Sequence, residues 1–292
     1  MTMPNFLIIG AMKSGTTALY YYLEQHPEIY MSPVKEPNFF SSQEPANVAD
    51  TVTHIGTYQH LFRGASGEKA IGEASHSYLY EPGAAAEIRR YIPEARLIAI
   101  LRNPIERAYS HFLHMVRSGT EPLNDFAQAL QEEVAGIHKE RTGQDYIGRG
   151  LYYDQLERYF GTFPREQIRV YLYEDLSDAP IRTVQDAFRF LEVDDSFVPD
   201  VSLRRNVSGH PKYKTLDGLL RRQSRIKHAA KIYLPARLRW RLSKAFDDLK
   251  TRNLVDPPPL RSEVRRQLIL VFREDILKVQ ELIHRDLSGW LE

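Results

Sequence analysis

The segment from Phe6 to Thr17 constrains the fold of this chain more than any other. Its sequence, FLIIGAMKSGTT, has an apolar run that ends at Gly10, a short polar loop, and an amphipathic pattern that begins at Thr16 or Thr17. This order predicts a strand, a tight loop and a helix. A helix that begins directly after such a loop points backbone N–H groups at an anion. The segment therefore predicts a phosphate-binding loop in an α/β protein.

The position of the lysine in this loop argues against an ordinary ATP or GTP site. Gly10 and Gly15 have the glycine spacing of the G-x-x-x-x-G-K-[ST] pattern, but the lysine is Lys13, inside the loop, and Thr16 follows the second glycine. A lysine inside the loop lies close to the oxygen that bridges the last two groups of a nucleotide, where it can stabilise a leaving group. The alternative is a capped helix start with a solvated lysine.

Strands and helices alternate along the rest of the chain, which predicts a central parallel sheet flanked by helices. Apolar or β-branched runs mark four predicted strands: Asn5 to Gly10, Lys69 to Gly72, Arg96 to Leu101 and Ile168 to Tyr173. Amphipathic spacing marks the predicted helices: Thr17 to Gln25, Gly83 to Tyr91, Pro104 to Arg117, Asp125 to Glu133, Tyr152 to Phe160, Ala179 to Leu191 and Arg261 to Ile283. Ligands of such sheets bind beyond the carboxyl ends of the strands.

Three segments that follow predicted strands are therefore expected to meet at one edge of the sheet. They are the loop from Gly10 to Thr17, the segment from Glu73 to Ser77, and the pair Arg102 and Asn103. An arginine at a strand end can clamp a phosphate, and Ser110, on the following helix, can add a hydroxyl donor. The two groups together predict a nucleotide with phosphate at both ends, although an arginine paired with a carboxylate remains the alternative for Arg102.

Composition predicts one globular domain over residues 1–292. A chain of 292 residues with 42% hydrophobic and 26% charged residues can bury a sizeable core. The absence of cysteine excludes disulfides and thiolate metal sites. The N-terminal apolar run is far shorter than a membrane span and follows no basic region, which leads us to expect a cytoplasmic protein without an integral membrane segment.

The segment from Arg204 to Lys244 is strongly basic, with thirteen lysine or arginine residues against one acidic residue, Asp217. Its helical spacing predicts a mostly helical cap or insertion over about residues 205–260. Such a block can face a polyanion, a membrane surface or an anionic cofactor, or it can be a solvated helical face. The role of residues 221–244 stays open.

An ordered set of motifs resembles the sulfotransferases that use 3′-phosphoadenosine 5′-phosphosulfate (PAPS), in particular bacterial members similar to the heparan-sulfate-type carbohydrate sulfotransferases. The motifs are KSGTTAL, LEQHPEI, KEPNFF, GEASHSYLY, LRNPIERAYSHF, RGLYYDQLERYF and DLSGWL. The resemblance implies a P-loop-NTPase-like sulfotransferase fold. It also implies a 5′-phosphosulfate loop, formed by Lys13, Ser14, Gly15, Thr16 and Thr17, and a 3′-phosphate site formed by Arg102 and Ser110.

The resemblance further implies a general base that takes the proton of the acceptor hydroxyl. In the heparan-sulfate branch this base is a glutamate that falls on Glu36, within KEPNFF. His76 is an alternative base, and Glu73 is another; both are also candidates for contact with the acceptor. Ala74 stands where that branch has a lysine after the glutamate, so a cationic contact is missing or is supplied elsewhere.

A late glycine-containing turn, RRNVSGHPKYK, lies where that branch closes its cofactor site. The comparison implies that Ser208, Gly209 and Lys212 contact the adenosine or the 3′-phosphate. No metal is expected, because the displacement does not need one.

The predicted function is transfer of a sulfuryl group from PAPS to an acceptor hydroxyl by in-line displacement, releasing adenosine 3′,5′-bisphosphate (PAP). The acceptor is expected to be a carbohydrate, a glycolipid or a secondary metabolite rather than a nucleic acid, and neither its identity nor the oligomeric state can be read from the sequence. Two other hypotheses are a nucleotide or small-molecule kinase on a related fold, and a non-catalytic module that binds a polyanion through the basic segment.

Overall fold

A computed structural model describes residues 2–41, 52–137, 144–202, 210–211, 254–255 and 258–292. Within this part of the chain, five parallel strands form a sheet in the order β2-β3-β1-β4-β5. The strands are β1 (Phe6–Gly10), β2 (Ile29–Met31), β3 (Ala70–Ala74), β4 (Arg96–Leu101) and β5 (Ile168–Leu172). The prediction of a parallel sheet flanked by helices is confirmed.

Ten α-helices and a short antiparallel pair of strands complete the regular structure of these residues. The helices are α1 (Thr16–Leu23), α2 (Ile55–His60), α3 (Ser77–Tyr80), α4 (Ala84–Tyr91), α5 (Pro104–Ser118), α6 (Phe126–Val134), α7 (Tyr152–Thr162), α8 (Tyr173–Asp178), α9 (Pro180–Phe190) and α10 (Ser262–Ile283). The strand pair is β6 (His210–Pro211) with β7 (Leu254–Val255). Short 3₁₀ helices occur at Gly148–Gly150, Arg165–Gln167 and Ser288–Leu291.

The central strands are buried on both faces, as a parallel sheet requires. Because successive side chains of a strand point to opposite faces, Leu7 and Ile9 of β1 join one hydrophobic cluster, whereas Phe6 and Ile8 join the other. All four of these side chains have no exposed surface. The continuous apolar sequence of β1 thus holds helices on both sides of the sheet.

The strand order places the first predicted loop at the point where the direction of winding reverses. After β1 the chain forms β2 and β3 on one side, and β4 then pairs with the other side of β1. The loops that follow β1 and β4 therefore lie next to each other at the carboxyl edge, where open α/β sheets bind ligands. At this edge α3 packs so closely on β1 that a Cβ at Gly10 would lie 2.6 Å from Cβ of Leu79.

The sequence predicted the long elements and missed short ones. All four predicted strands exist, and the bounds of β4 agree at both ends. The edge strand β2 was missed because three residues are too few to show alternation, and α2, α3 and α8 were missed because helices of four to six residues show little periodicity.

The C-terminal helix α10 packs on α7 and α5. Its Asp275 accepts hydrogen bonds from the backbone N–H groups of Tyr152 (2.9 Å) and Tyr153 (3.0 Å), the first residues of α7. A carboxylate at this position satisfies N–H groups that have no partner within the helix. The predicted helix over Arg261 to Ile283 is confirmed, whereas most of the predicted basic cap at about 205–260 lies outside the described residues.

Candidate active site

The loop between β1 and α1 is held by hydrogen bonds to β4 and to the residue that follows it. The backbone N–H of Ala11 donates to the carbonyl of Ile100 in β4 (2.8 Å). The Arg102 guanidinium, just beyond β4, donates through Nη1 to the carbonyl of Lys13 (3.2 Å). The structure thus brings together the two segments that the sequence assigned to opposite ends of a nucleotide.

Two residues of this loop have left-handed backbone conformations. Gly15, which precedes α1, has φ 101°, and Lys13 has φ 69°. A glycine adopts such angles without strain, but a lysine does so at a cost that the surrounding structure must offset. Strain of this kind concentrates at functional sites. The loop therefore fixes Lys13 in a position that the backbone alone does not favour.

Positive charge crowds the Lys13 amine. Burial lowers its pKa, and the nearby Arg117 and Arg102 lower it further, to about 8, although Glu36 acts in the opposite direction. Arg117 lies on α5, seven residues after Ser110, and reaches the site from the same helix. The protein holds these cations close together, as expected of a site for an anion with several charges.

Arg102 and the start of α5 are fixed from several directions. Asn103 caps α5, because its Oδ1 accepts a hydrogen bond from the backbone N–H of Ile105 (3.0 Å). The Arg102 guanidinium carbon lies 4.6 Å from the centre of the Tyr173 ring, a cation–π contact. Ser110 is 5% exposed and lies two turns into α5. The Arg102 side chain is thus oriented by Tyr173 and by the loop.

Tyr152, the first residue of α7, supports the segment that carries Arg102. It is fully buried, and its hydroxyl donates to the carbonyl of Arg102 (3.0 Å). The hydroxyl of Ser14, a side chain without exposed surface, lies near Tyr152 and has no hydrogen-bond partner among the described residues. The sequence analysis did not single out Tyr152, although it lies within the RGLYYDQLERYF motif.

Glu36 lies next to two basic side chains. Its Oε1 accepts a hydrogen bond from the Lys35 ammonium, and its Oε2 lies 3.5 Å from Nε2 of His76. Burial alone would raise the pKa of the Glu36 carboxyl, but the charges of Lys35, His76 and His114, with the Lys35 hydrogen bond, outweigh burial and lower it to about 2. Like Lys13, Glu36 has a left-handed backbone, with φ 65°. Glu36 is therefore an ionised, partly exposed carboxylate held in a strained position.

His76 is nearly enclosed at the start of α3. Burial lowers its pKa to about 4, against the opposing effect of Glu36. Its Nδ1 is buried and has no hydrogen-bond partner. At neutral pH His76 is therefore an uncharged imidazole beside the Glu36 carboxylate, and of the predicted bases it is the one in direct contact with Glu36.

Glu73 has a different environment from the other two candidates. It has no exposed surface, and its carboxyl accepts hydrogen bonds from the hydroxyls of Tyr78 (2.7 Å), Ser75 (2.9 Å) and Tyr58 (3.2 Å). Burial raises its pKa to about 7, although these hydrogen bonds oppose the shift. Three hydroxyl donors use the acceptor capacity of the carboxyl, which gives Glu73 a structural position beneath the site.

Several cationic groups of the site were not predicted from the sequence. Lys35 is adjacent to Glu36 in the KEPNFF motif, and His114 and Arg117 recur at helical spacing after Ser110, so the period of α5 was a signal that could have identified them. Conversely, the predicted contacts Ser208, Gly209 and Lys212 lie outside the described residues.

The described residues contain neither a metal-binding cluster nor a membrane-spanning helix. No group of three His, Asp or Glu residues in this part of the chain is placed to hold a metal ion. None of the helices described there is long and apolar enough to cross a membrane.

Comparison with known proteins agrees with the motifs and the fold. The family model described as Sulfotransferase domain matches residues 3–208. A crystal structure of a sulfotransferase from Alicyclobacillus acidocaldarius is 32% identical in sequence, with full coverage of both chains and a TM-score of 0.77.

Curated relatives are longer than this chain. A membrane-associated sulfotransferase (kil1) of Dictyostelium discoideum is 23% identical, over 98% of this chain and 66% of its own length. A bifunctional heparan sulfate N-deacetylase/N-sulfotransferase (number 4) of Mus musculus is 25% identical, over 99% of this chain and 31% of its own length. The chain therefore spans about a third to two thirds of the length of these two relatives.

The environments of Glu73 and Glu36 shift the pKa values of their carboxyls in opposite directions. We expect Glu73 to titrate near pH 7 and Glu36 to stay ionised down to about pH 2, as measured by ¹³C NMR of the side-chain carboxyls, with Glu73→Gln and Glu36→Gln to assign the signals. Because the folded pKa of Glu73 lies above its ordinary value of 4.5, its contribution to stability is present below pH 4.5 and is lost as pH rises through about 7. The free energy of unfolding of Glu73→Gln should therefore depend less on pH between these values. A Glu73 signal that titrates near 4.5 contradicts the enclosed geometry.

Proposed function

The chain belongs to the sulfotransferase family, and we propose that it transfers the sulfuryl group of PAPS to the hydroxyl of an acceptor that is a carbohydrate, a glycolipid or a secondary metabolite. The observation that carries this proposal is the crowding of Lys13, Arg102 and Arg117 at the carboxyl edge of the sheet. A cluster of positive charge of this extent fits a donor that carries phosphate at two positions.

The two ends of the donor are assigned to two segments of the site. Arg102 and Ser110 hold the 3′-phosphate, which ATP lacks. Residues 13–17 hold the 5′-phosphosulfate through backbone N–H groups and hydroxyls at the start of α1. The hydrogen bond from Arg102 to the Lys13 carbonyl supports this assignment, because it holds the two proposed phosphate sites next to each other.

Glu36 and Lys13 divide the chemistry. Glu36 takes the proton of the acceptor hydroxyl while the acceptor oxygen forms its bond to sulfur. Lys13 stabilises the negative charge that develops on the bridging oxygen as the bond between that oxygen and sulfur breaks, and PAP leaves with the electron pair. The partial neutralisation that an anionic donor brings is expected to raise the pKa of Lys13, which favours the charged form needed for this role.

The assignment of Glu36 as the base rests on access and ionisation. Glu36 is partly exposed and ionised, whereas Glu73 is enclosed and already accepts three hydrogen bonds. Its low pKa weakens Glu36 as a base in the free protein. The acceptor hydroxyl becomes more acidic as its oxygen bonds to sulfur, however, so a carboxylate can take the proton late. His76, 3.5 Å from Glu36, is suited to orient that carboxylate.

We also propose that residues 1–292 form a single sulfotransferase domain. The packing of α10 on α5 and α7 supports it, because α5 carries Ser110 and α7 carries Tyr152. Residues beyond the family match at 208 thus pack directly behind the site.

Substitution of Arg102 tests the site for the 3′-phosphate. We expect Arg102→Ala to weaken the binding of PAP by about 10- to 100-fold, since a hydrogen bond to a charged group contributes about 1.5–3 kcal/mol. Isothermal titration calorimetry measures the affinity. Arg96→Ala is the matched control, because Arg96 begins the same strand at the opposite edge, where it pairs with Glu192. Equal losses in the two variants, or no loss in Arg102→Ala, contradict the assignment.

Substitution of Lys13 tests the stabilisation of the leaving group. We expect Lys13→Ala to reduce the rate of sulfuryl transfer by about 100-fold or more, as removal of one preorganised charge stabiliser does elsewhere. The rate is measured as transfer of labelled sulfate from PAPS to an acceptor found by screening. Lys278→Ala is the control, because Lys278 pairs with Glu274 on α10, away from the site. A wild-type rate in Lys13→Ala would contradict the proposed function.

Substitution of Glu36 tests the base. We expect Glu36→Gln to lower the rate by about 100- to 10,000-fold, the usual contribution of general-base catalysis. The affinity for PAP, measured in parallel, should be retained or increased, because the substitution removes a negative charge near Lys13. Full activity would remove Glu36 as the base and direct attention to His76.

A further inference from the structure

The Arg149 guanidinium carries a charge that the described residues do not neutralise. It lies on the 3₁₀ helix Gly148–Gly150, immediately before α7, and its guanidinium carbon is 4.5 Å from the centre of the Tyr80 ring. Its Nε and Nη1 are buried and have no hydrogen-bond partner. Leaving such donors unsatisfied is costly. The side chain as a whole is partly exposed although these two nitrogens are not, so a ligand would approach the guanidinium at its remaining nitrogen, Nη2.

A neighbouring acidic group, Asp145, is used for other contacts. Its Oδ1 accepts a hydrogen bond from the backbone N–H of Gly148 (2.6 Å), and its Oδ2 accepts one from the Tyr80 hydroxyl. Asp145 thus fixes both the segment that carries Arg149 and the ring on which the guanidinium lies. It orients Arg149 without forming an ion pair with it.

A second acidic residue, Glu133, is also engaged with the backbone. Its two oxygens accept hydrogen bonds from the N–H groups of Tyr146 (3.0 Å) and Ile147 (2.8 Å). Burial raises the pKa of Glu133 to about 7, and the neighbouring Asp145 adds to the shift, so Glu133 is partly protonated near neutral pH. This protonation reduces the negative charge that Glu133 offers to Arg149.

The charge of Arg149 acts on the side of the site that holds the proposed base. It contributes to lowering the pKa of His76, after burial and Lys35, and to lowering that of the buried His111. The largest cationic influences on Lys13 are instead Arg117 and Arg102. Arg149 packs on Tyr80 of α3, and α3 begins directly after His76, which lies 3.5 Å from Glu36, so Arg149 lies on the side of the site that holds the proposed base.

We propose that Arg149 binds an acidic group of the acceptor, a carboxylate or a sulfate, next to the hydroxyl that Glu36 deprotonates. A planar guanidinium with unused donors and an aromatic ring behind it matches both anions. The inference rests on the proposed function and narrows the acceptor to a molecule that carries negative charge. It also supplies a cation on the acceptor side, where Ala74 replaces the lysine that the sequence comparison led us to expect.

The binding test uses protein labelled with ¹⁵N-arginine and saturated with PAP. The Nε–H signal of Arg149 is identified by its absence in Arg149→Gln, and glucuronate, sulfate and glucose are then added at constant ionic strength. We expect glucuronate or sulfate to move this signal in a saturable manner and glucose to leave it in place. Movement by one anion alone identifies whether a carboxylate or a sulfate is preferred.

The kinetic test uses p-nitrophenyl β-glucuronide and p-nitrophenyl β-glucoside, which differ only in the acidic group. We expect Arg149→Gln to raise the KM for the glucuronide by about tenfold and to leave the glucoside nearly unchanged. Arg149→Lys should restore part of the loss. The matched control is Arg158→Gln. Arg158 Nη2 donates to the carbonyls of Leu79 (3.4 Å) and Tyr80 (3.2 Å), so Arg158 supports α3, the helix whose Tyr80 ring packs against Arg149.

The outcomes separate this inference from the proposed function. If PAP does not bind the wild-type protein, the proposed function fails. If PAP binds but the Arg149 signal responds to neither anion, Arg149 is structural and the inference is overturned. A signal that moves on addition of PAP alone and then ignores both anions assigns Arg149 to the donor, which also overturns it. Where neither glycoside is sulfated, the NMR titration decides.

Discussion

Mutual repulsion of positive charges is the constraint around which this site is built. Lys13, Arg102 and Arg117 lie close together, and burial, together with the charges of the two arginines, lowers the pKa of Lys13 to about 8. The fold sustains this repulsion because strand order places two loops side by side and hydrogen bonds fix them. An anion that binds here would relieve this repulsion, as expected of a site that is organised before its ligand arrives.

The left-handed backbones of Lys13 and Glu36 belong to the same pattern. Each residue is assigned a role in the reaction, and each has a φ angle that other residues rarely adopt, 69° and 65°. In Glu36 the backbone N–H also donates to the carbonyl of Ala74 in β3 (2.9 Å), so the sheet itself helps to hold this conformation. Backbone strain of this kind concentrates at functional sites.

The sequence predicted the parts of the molecule that depend on long patterns. The buried strands and amphipathic helices were visible because their periodicity extends over many residues, and the placement of Lys13 beside Arg102 followed from strand order. The difference between Glu36 and Glu73 was not visible, because it depends on three hydroxyls that approach Glu73 from residues 58, 75 and 78. Arg149 was missed for a related reason. The nearby acids Asp145 and Glu133 accept hydrogen bonds from backbone N–H groups and form no ion pair with Arg149, and the sequence does not show this.

The capping of α7 by Asp275 has a consequence for what counts as one cooperative unit. Asp275 holds the residue whose hydroxyl supports the Arg102 carbonyl, and the carbonyl of Trp290 accepts a hydrogen bond from Asn103 (3.4 Å). The match to the family model ends at residue 208, yet hydrogen bonds that fix the donor motif come from beyond that limit. A fragment trimmed to residues 3–208 would keep Lys13, Glu36, Arg102 and Ser110 and lose the contacts from α10 and Trp290 that support them.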